Sequence, residues 1–317
     1  MRILVTGGAG FIGSHFVDAL IETPDLRISK VIVLDKLTYA GNRNNLAKHF
    51  ENSKFGFFHG DINDRQLVED LVREVDWVVN FAAESHVDNS IQNSREFITS
   101  NIVGVDTLLN AVKNANCRFL QISTDEVYGS LREGSATEST SINPSSSYSA
   151  SKASADLLAL AFFNTFKLDI RITRTCNNFG PRQFIEKLIP VAICAALKGD
   201  AVPIYGDGLN IREWLPVRLN CQEIINVMKV GQPGNVYNIG SGLEITNLEI
   251  VQKILNLTNS NSRIEFITDR KGHDYRYSLN SEKLYSITKQ RNSFDLDVEL
   301  NKTIAYYALQ QDKNSMK

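Results

Sequence analysis

The sequence predicts an α/β protein with a doubly wound parallel sheet and a smaller C-terminal lobe. Short apolar runs alternate with amphipathic segments through the first half of the chain, and short connections join them. Such alternation indicates parallel strands with helices on both faces of the sheet. A glycine-rich turn follows the first apolar run, and an acidic residue ends the second. Beyond residue 176 the alternation gives way to turn-rich stretches, which predicts the second lobe.

Composition limits the classes of partner that the chain is expected to bind. Its 317 residues are enough for one large or two moderate domains with a sizeable core. Hydrophobic residues make up 43% and charged residues 22%, with a formal net charge of -2. Such a chain has no basic field to attract nucleic acid or a membrane surface, so we expect neither partner.

Cysteine usage and hydropathy predict a cytoplasmic protein. The four cysteines lack metal-ligand spacing and are typical of buried thiols in a reducing compartment: Cys117, Cys176, Cys194 and Cys221. The first apolar run ends at Gly7, too early for a secretory signal. The longest apolar stretch, over 188–197, contains a proline and is too short to span a membrane.

The first strand-turn-helix unit is typical of a dinucleotide-binding site. A predicted strand over 2–6 is followed by glycines at 7, 10 and 13 and by a predicted helix over 11–21. A second strand over 31–34 ends on Asp35, which is placed to accept from a ribose hydroxyl. No arginine stands beside Asp35, which favours NAD over NADP, although Lys36 leaves this choice open. The alternative is a glycine-rich turn that serves packing alone.

Two further strand-helix units continue the alternation. Strands are predicted over 55–59 and 77–83, and helices over 65–74 and 96–113. Asp61 follows the third strand, where it either contacts the adenine of a cofactor or caps the next helix.

The stretch after the fifth predicted strand, over 118–122, carries a hydroxyl and adjacent carboxylates at Thr124, Asp125 and Glu126. In open α/β sheets, ligands bind at the carboxyl ends of the strands. The stretch is therefore either a catalytic cluster or a capped turn. A polar segment over 134–147 is predicted to form an ordered loop over the same site.

The next predicted helix begins with Tyr148 and Lys152, which the helical repeat places one turn apart on one face. The alternative for such a pair is an ordinary surface contact. In the second half, a helix is predicted over 220–229 and a strand over 234–239 that returns to the main sheet.

These predictions divide the chain into two units. We expect an NAD-binding Rossmann domain over 1–176, to which about 209–239 returns, and a substrate-binding lobe over 177–317.

Motifs along most of the chain are similar to those of one enzyme family. They are Thr-Gly-Gly-Ala-Gly-Phe-Ile-Gly at 6–13, Leu-Thr-Tyr-Ala-Gly-Asn at 37–42, Ala-Ala-Glu-Ser-His-Val-Asp at 82–88, Ser-Thr-Asp-Glu-Val-Tyr-Gly at 123–129, the Tyr148/Lys152 pair, Asn-Asn-x-Gly-Pro at 177–181, Glu-Lys-Leu-Ile-Pro at 186–190 and Ile-Tyr-Gly-Asp-Gly at 204–208. With these motifs the chain resembles the extended short-chain dehydrogenases/reductases that act on sugar nucleotides, and most closely the dTDP-glucose 4,6-dehydratases. The adjacent Asp125 and Glu126 are the most specific feature, because an epimerase needs neither carboxylate.

The resemblance implies a hydro-lyase that converts dTDP-glucose to dTDP-4-keto-6-deoxyglucose. The reaction oxidises C4 with NAD, eliminates water across C5 and C6, and returns the hydride to C6. Tyr148 would remove the C4 hydroxyl proton, with its pKa lowered by Lys152 and the nicotinamide. Glu126 would remove the C5 proton, Asp125 would protonate the departing hydroxyl, and Thr124 would hydrogen-bond O4. The family also implies a homodimer formed through helices around 96–113 and 148–166.

The resemblance assigns binding residues by position. Together with the glycine-rich turn, the cofactor residues are Gly7, Gly10, Phe11, Ile12, Gly13, Asp35, Lys36, Thr38, Asp61, Ile62, Ala83, Ser85, Tyr148, Lys152 and Asn178. The sugar-nucleotide residues are Ser85, Thr124, Asn177, Lys187, Leu188, Pro203, Tyr205, Arg212, Asn247, Arg270 and His273. The cations among them are suited to a diphosphate. No metal ligand is predicted.

Several alternatives stay open at this point. Arg212 could instead pair with Glu213, and Tyr205 could belong to the core of the second lobe rather than stack on a pyrimidine. His15, His49 and His59 are treated as structural. The same reaction on UDP-glucose or UDP-GlcNAc, a sugar-nucleotide C4-epimerase, and a non-catalytic NAD-binding scaffold remain the other functional hypotheses.

Overall fold

The computed structural model describes residues 1–23, 26–291 and 293–315. Its strands are β1 (Arg2–Thr6), β2 (Lys30–Asp35), β3 (Phe55–His59), β4 (Trp77–Asn80), β5 (Arg118–Thr124), β6 (Ile170–Thr175), β7 (Asn177–Phe179), β8 (Val202–Tyr205), β9 (Ile211–Pro216), β10 (Val236–Ile239), β11 (Glu244–Thr246) and β12 (Ile264–Ile267). Its helices are α1 (Phe11–Glu22), α2 (Arg65–Val72), α3 (Val87–Gln92), α4 (Ser94–Ile98), α5 (Gly104–Ala115), α6 (Ser147–Phe166), α7 (Leu188–Lys198), α8 (Val217–Val230), α9 (Asn247–Leu257), α10 (Glu282–Thr288) and α11 (Leu296–Ser315).

A seven-stranded sheet forms the centre of the molecule, in the order β10-β6-β5-β4-β1-β2-β3. Every pairing in it is parallel. Its strands are apolar on both faces because helices cover both faces, as in β1, where Ile3, Leu4 and Val5 are all fully buried. The arrangement confirms the predicted α/β class with a doubly wound sheet.

Two hydrophobic cores lie on opposite faces of this sheet. On one face α1 packs against α8, and Phe16 and Ile224 join the core that contains Val5. On the other face α5 packs against α2 and α6, and Leu108 joins the core that contains Leu4. The alternating side chains of β1 therefore serve both cores, and the sheet's carboxyl edge is left free for a site.

The strand predicted near residue 239 pairs with β6 as β10, at the edge of the main sheet. Two smaller sheets, β11-β9-β7 and β12-β8, form the smaller lobe with the helices that pack on them. Its core contains Phe179, Trp214, Ile250 and Leu300. The polar segment over 134–147 leads into α6 and makes backbone hydrogen bonds with 278–280 at Ala136.

Two predicted elements differ from the structure. The fourth strand ends at Asn80 rather than at 83: its pairing with β1 and its pairing with β5 both stop at Asn80. The helix predicted over 96–113 contains a π-helical turn over 99–103 between α4 and α5. This turn contains the buried Asn101, whose side chain bonds the backbone of Glu84.

The remaining expectations concern membranes and thiols. None of the helices in the described ranges is both long and apolar enough to cross a membrane. Cys117, Cys176 and Cys221 are buried free thiols, as expected, whereas Cys194 is a free thiol that is only partly buried.

Candidate active site

The carboxyl ends of the central strands open into one large cleft, with about 1610 Å³ of empty space including its open mouth. All of the residues assigned to the cofactor and to catalysis line this cleft. Four residues assigned to the sugar nucleotide line it as well: Ser85, Thr124, Asn177 and Lys187. Parallel strands bring these distant segments together because their carboxyl ends share one edge.

The glycine-rich turn between β1 and α1 leaves no room for side chains. A Cβ at Gly7, whose φ is +67°, would lie 2.6 Å from the backbone nitrogen of Ala82. A Cβ at Gly13 would lie 2.3 Å from the Gly7 carbonyl oxygen. The N-cap residue of α1 is Gly10, which has no side chain to cap the helix N-terminus. The turn therefore fits a pyrophosphate, which can approach the backbone closely and accept from the helix N-terminus.

Asp35, at the end of β2, is 7% exposed and accepts hydrogen bonds from the backbone of Ala9 and Leu37, both at 2.8 Å. Lys36 pairs with Asp61 at 2.8 Å. Asp61 does not cap α2, because Asp64 accepts from the Leu67 amide and is the N-cap. The helix-cap alternative for Asp61 is therefore wrong, and its carboxylate compensates the charge of Lys36, the residue after Asp35.

The stretch after β5 forms a 3-10 turn over 125–128. Thr124 accepts from the Glu126 amide at 3.3 Å and donates to Asp125 Oδ1 at 3.1 Å. Asp125 is 3% exposed, and its Oδ2 has no hydrogen-bond partner among the described residues. A buried polar atom without a partner is costly, so this oxygen is well suited to contact a ligand.

Different surroundings separate the two carboxyl groups. Burial raises the pKa of Asp125 well above its ordinary value, and the negative charges of Glu126 and Glu213 raise it further. Burial also raises the pKa of Glu126, but the positive charges of Arg270, Lys187 and Arg212 oppose this increase. This arrangement favours a protonated Asp125 beside an ionised Glu126, which suits an acid and a base in one site.

Lys152 and Tyr148 lie on the first turns of α6. Lys152 Nζ donates to the Ile122 carbonyl oxygen at 2.6 Å, and burial lowers the pKa of Lys152 to about 8. Burial raises the pKa of Tyr148 well above its ordinary value, and Glu126 and Asp125 raise it further. In the protein without NAD the pKa of Tyr148 is therefore raised, and its lowering by Lys152 together with a bound nicotinamide stays a prediction.

The other residues assigned to the sugar nucleotide belong to the second lobe. Leu188 and Asn247 begin α7 and α9, and Pro203 and Tyr205 are exposed on β8. Tyr205 is 38% exposed, so it does not belong to the core of the lobe. Its hydroxyl donates to Asp88 at 3.4 Å, and its ring lies 6.4 Å from that of His273, edge to face.

The cations of the second lobe lie near the catalytic stretch, since Arg270, Lys187 and Arg212 all act on the pKa of Glu126. Arg270 Nε is buried and has no hydrogen-bond partner in the described part of the chain. Lys187 Nζ donates to the Ser85 carbonyl oxygen at 3.1 Å. An arginine nitrogen without a partner favours an anionic ligand.

Arg212 is 4% exposed and donates to the carbonyl oxygens of Asp274, at 2.9 Å, and Ile211, at 2.8 Å. Glu213 instead accepts from the amides of Gly242 and Leu279. The alternative of an Arg212–Glu213 salt bridge is therefore wrong, as adjacent strand residues point to opposite faces.

The histidines treated as structural lie outside the residues that line the cleft. His49 pairs with Asp18 at 2.7 Å, and Asp18 also pairs with Arg182 at 2.7 Å. His15 contacts the Pro181 carbonyl oxygen at 2.9 Å, and His59 contacts that of Lys36 at 3.1 Å.

Sequence reasoning missed a buried charge behind the cleft. Asp156 is fully buried and pairs with Arg174 at 2.9 Å. Its position four residues after Lys152, and eight after Tyr148, was the available signal, because these spacings share one helix face.

Comparisons with known proteins agree with this geometry. The family model described as GDP-mannose 4,6 dehydratase matches residues 4–295. The low-salt glycan biosynthesis protein Agl12 of Haloferax volcanii is 52% identical over 285 residues, 89% of this chain and 91% of its own. The dTDP-glucose 4,6-dehydratase of Actinoplanes sp. is 48% identical over 313 residues, 97% of this chain and 98% of its own.

A solved structure is similar over the same extent. DesIV, the dTDP-glucose 4,6-dehydratase of Streptomyces venezuelae, was crystallised with NAD bound and is 46% identical, with a TM-score of 0.96. The similarity covers 98% of both chains. With a family model that spans most of the chain and relatives at this identity, the chain belongs to the GDP-mannose 4,6 dehydratase family.

Proposed function

We propose that the protein is a dTDP-glucose 4,6-dehydratase that uses NAD to convert dTDP-glucose to dTDP-4-keto-6-deoxyglucose. The carrying observation is that Asp125 and Glu126, with their pKa values raised to different extents, line the same cleft as Tyr148 and Lys152. A dehydratase needs an acid and a base in addition to the Tyr/Lys pair. The activity of the 48% identical Actinoplanes relative supports dTDP-glucose as the substrate.

The residues of the cleft fit NAD. The turn at Gly7 and Gly13 admits a pyrophosphate, Asp35 can accept from a ribose hydroxyl, and Asn178 has a buried side-chain oxygen without a partner among the described residues. The pairing of Lys36 with Asp61 supports NAD over NADP, because the cation next to Asp35 in the sequence is already engaged by a carboxylate. When bound, NAD supplies an acceptor for the C4 hydride, its return to C6, and a positive charge near Tyr148.

The first step that the protein's own residues perform is deprotonation of the C4 hydroxyl. Tyr148 is the base, and Thr124, beside it, donates a hydrogen bond to O4. The raised pKa of Tyr148 means that positive charge is required to make it a base, and the Lys152 ammonium is the protein's contribution. Oxidation at C4 then makes the C5 proton acidic.

Elimination uses the two carboxyl groups. Glu126, ionised beside Lys187 and Arg270, takes the C5 proton, and Asp125 donates its proton to the departing C6 hydroxyl as water leaves. The unpartnered Oδ2 of Asp125 is available for that hydroxyl. The surroundings of the two carboxyl groups thus favour the protonation state that each role requires.

The second lobe is the proposed site of the nucleotide. Arg270, Lys187 and Arg212 provide positive charge for the diphosphate, and the exposed ring of Tyr205 offers a stacking surface for the base. In this proposal 1–176, with 209–239 returning to it, binds NAD, and 177–317 holds the sugar nucleotide.

The decisive experiment is a substrate panel with purified protein and NAD: dTDP-glucose, UDP-glucose, UDP-GlcNAc and GDP-mannose. We expect a 4-keto-6-deoxy product from dTDP-glucose with no net NADH. Faster turnover of a UDP sugar or of GDP-mannose would reassign the nucleotide, and formation of a C4 epimer alone would make the protein an epimerase. An Asp125→Asn/Glu126→Gln variant should abolish dehydration, whereas full activity would refute the carboxylate roles. No turnover of any substrate would favour a scaffold.

We also propose a homodimer in the cytoplasm. Ile98, Val103 and Leu157 are 49%, 50% and 55% exposed on neighbouring helical segments, an apolar surface that a second copy would cover. The free cysteines support a reducing compartment. Light scattering should give twice the chain mass, and Leu157→Glu should give a monomer; a monomeric wild-type protein would refute the dimer.

A further inference from the structure

Asp156 is a buried carboxylate to which the proposed reaction gives no role. It lies one turn after Lys152 on α6, on the same face as Tyr148. Its side chain is 0% exposed. Burial of an ionised carboxylate is costly unless nearby charges and hydrogen bonds compensate it, so such a group needs an explanation.

Only one of the two carboxylate oxygens of Asp156 has hydrogen-bond partners among the described residues. Its Oδ2 accepts from Arg174 Nε at 2.9 Å and from Ser123 Oγ at 3.0 Å. Its Oδ1 is buried and has no hydrogen-bond partner within the described part of the chain. An aspartate whose only task was to cross-link α6 to β6 would not need to leave an oxygen unpaired.

The same cluster is connected to the catalytic stretch. The neighbouring β5 residues Ile122 and Ser123 bond Lys152 and Asp156 respectively, so β5 holds both ends of one helical turn. The Arg174 guanidinium lies 4.8 Å from the centre of the Tyr128 ring, in the turn that begins at Asp125. The cluster therefore joins α6, β5, β6 and the catalytic turn.

We propose that Asp156 is a positioning residue for the reaction, whose buried negative charge keeps Lys152 in its ammonium form and whose bond to Ser123 sets α6 against β5. The catalytic consequence rests on the proposed function, because the ammonium matters only where Tyr148 must lose a proton. The effect on Lys152 itself is a property of the folded protein.

The titratable and charged groups near Lys152 come from three sides. Tyr148 and Asp156 share its helix, Arg174 comes from β6, and the catalytic turn after β5 carries its two carboxyl groups. Asp156 is the side chain whose charge raises the pKa of Lys152, against the burial that lowers it to about 8. With a pKa this close to neutral pH, a small loss of negative charge would deprotonate Lys152 under working conditions.

The test is a direct titration of Lys152 in ¹⁵N-lysine-labelled protein by NMR, with its signal identified by its absence in Lys152→Met. In Asp156→Asn we expect the midpoint to fall by about one to two pH units, as for a charge one helical turn away at an effective dielectric constant of about 20. Asp156→Glu keeps the charge and should titrate close to the wild-type protein. In active samples, the alkaline limb of kcat should move together with the midpoint.

Asp156→Asn leaves the Arg174 guanidinium buried without its partner, so Asp156→Asn/Arg174→Gln is the second variant, with neither charge. Its Lys152 midpoint should also fall, but by less than in Asp156→Asn, because loss of the Arg174 positive charge offsets part of the effect. An unchanged midpoint in either folded variant would overturn the proposal and make Asp156 a structural cross-link only. An equal fall in Asp156→Glu would overturn the charge explanation. None of these readings needs turnover, so they are independent of whether dTDP-glucose is the substrate.

Discussion

Substitution of Asp125 by asparagine tests the assignment of the acid most directly. Asp125 is 3% exposed, and its pKa is raised by burial, by Glu126 and by Glu213. These surroundings favour the neutral carboxyl form, and one of its oxygens has no hydrogen bond to the described residues. An asparagine keeps its size and neutrality but has no proton to give to a departing hydroxyl.

We expect Asp125→Asn to lower kcat and not to lower the free energy of unfolding. Loss of a general acid lowers kcat by about 10²- to 10⁴-fold, or about 3 to 5 kcal/mol in the barrier. The folded pKa of Asp125 lies above its unfolded value, so the wild-type protein loses stability as pH rises through the folded pKa. The Asp125→Asn variant has no titrating group at this position, so its free energy of unfolding should not fall in this way. Urea unfolding at alkaline pH should therefore show the variant to be more stable, relative to the wild-type protein, than it is at acidic pH.

Rapid mixing with dTDP-glucose separates the steps. We expect the variant to oxidise C4 and to accumulate NADH, because the C6 hydroxyl then leaves slowly. Glu299→Gln is the control: it removes a carboxylate that is 7% exposed and paired with Arg218 and Lys302, outside the cleft lining. A variant that retains more than about a tenth of the wild-type kcat, or that fails at oxidation, would refute the assignment.

Three further predictions test other parts of the cleft. Gly13→Ala should abolish NAD binding in calorimetry, since its Cβ would lie 2.3 Å from the Gly7 carbonyl oxygen; unchanged affinity would contradict the phosphate-turn assignment. In the wild-type protein, kcat should fall above about pH 8 as Lys152 loses its proton, and a flat profile to pH 10 would argue against that role. Arg270→Met should raise KM for the sugar nucleotide about 10- to 100-fold with NAD affinity unchanged; an equal loss for NAD would place Arg270 elsewhere.

The position of the site was predictable because it depends on periodicity. Strands were expected before Gly7, before Asp35 and before Thr124, and parallel strands bring those ends to one edge whatever the loops do. The Tyr148/Lys152 pair follows from the helical repeat in the same way. The family motifs add residues of the second lobe, such as Arg270, that periodicity does not reach.

Properties set by tertiary surroundings were not predictable. The pKa of Tyr148 depends on carboxylates from β5 and on burial, and neither is visible in the helix that carries it. Arg212 was compared with its neighbour Glu213, yet it donates to Asp274, far along the chain. Asp61 was considered as the cap of α2, yet the structure places Asp64 at the N-cap, where its side chain accepts from the Leu67 amide.

The pairing of β10 with β6 means that the central sheet cannot be completed until late in synthesis of the chain. The sheet that carries the cofactor turn receives its last strand only after residue 239 has been synthesised, when 177–208 of the second lobe have been made and 240–317 have not. A fragment that ends at residue 176 would expose the backbone of β6 as a bare edge and would lose the α8 side chains that cover α1. The second lobe therefore cannot be exchanged as one continuous segment without disrupting the cofactor domain. A chimaera designed to change the nucleotide preference must take 217–239 from the same parent as the central sheet.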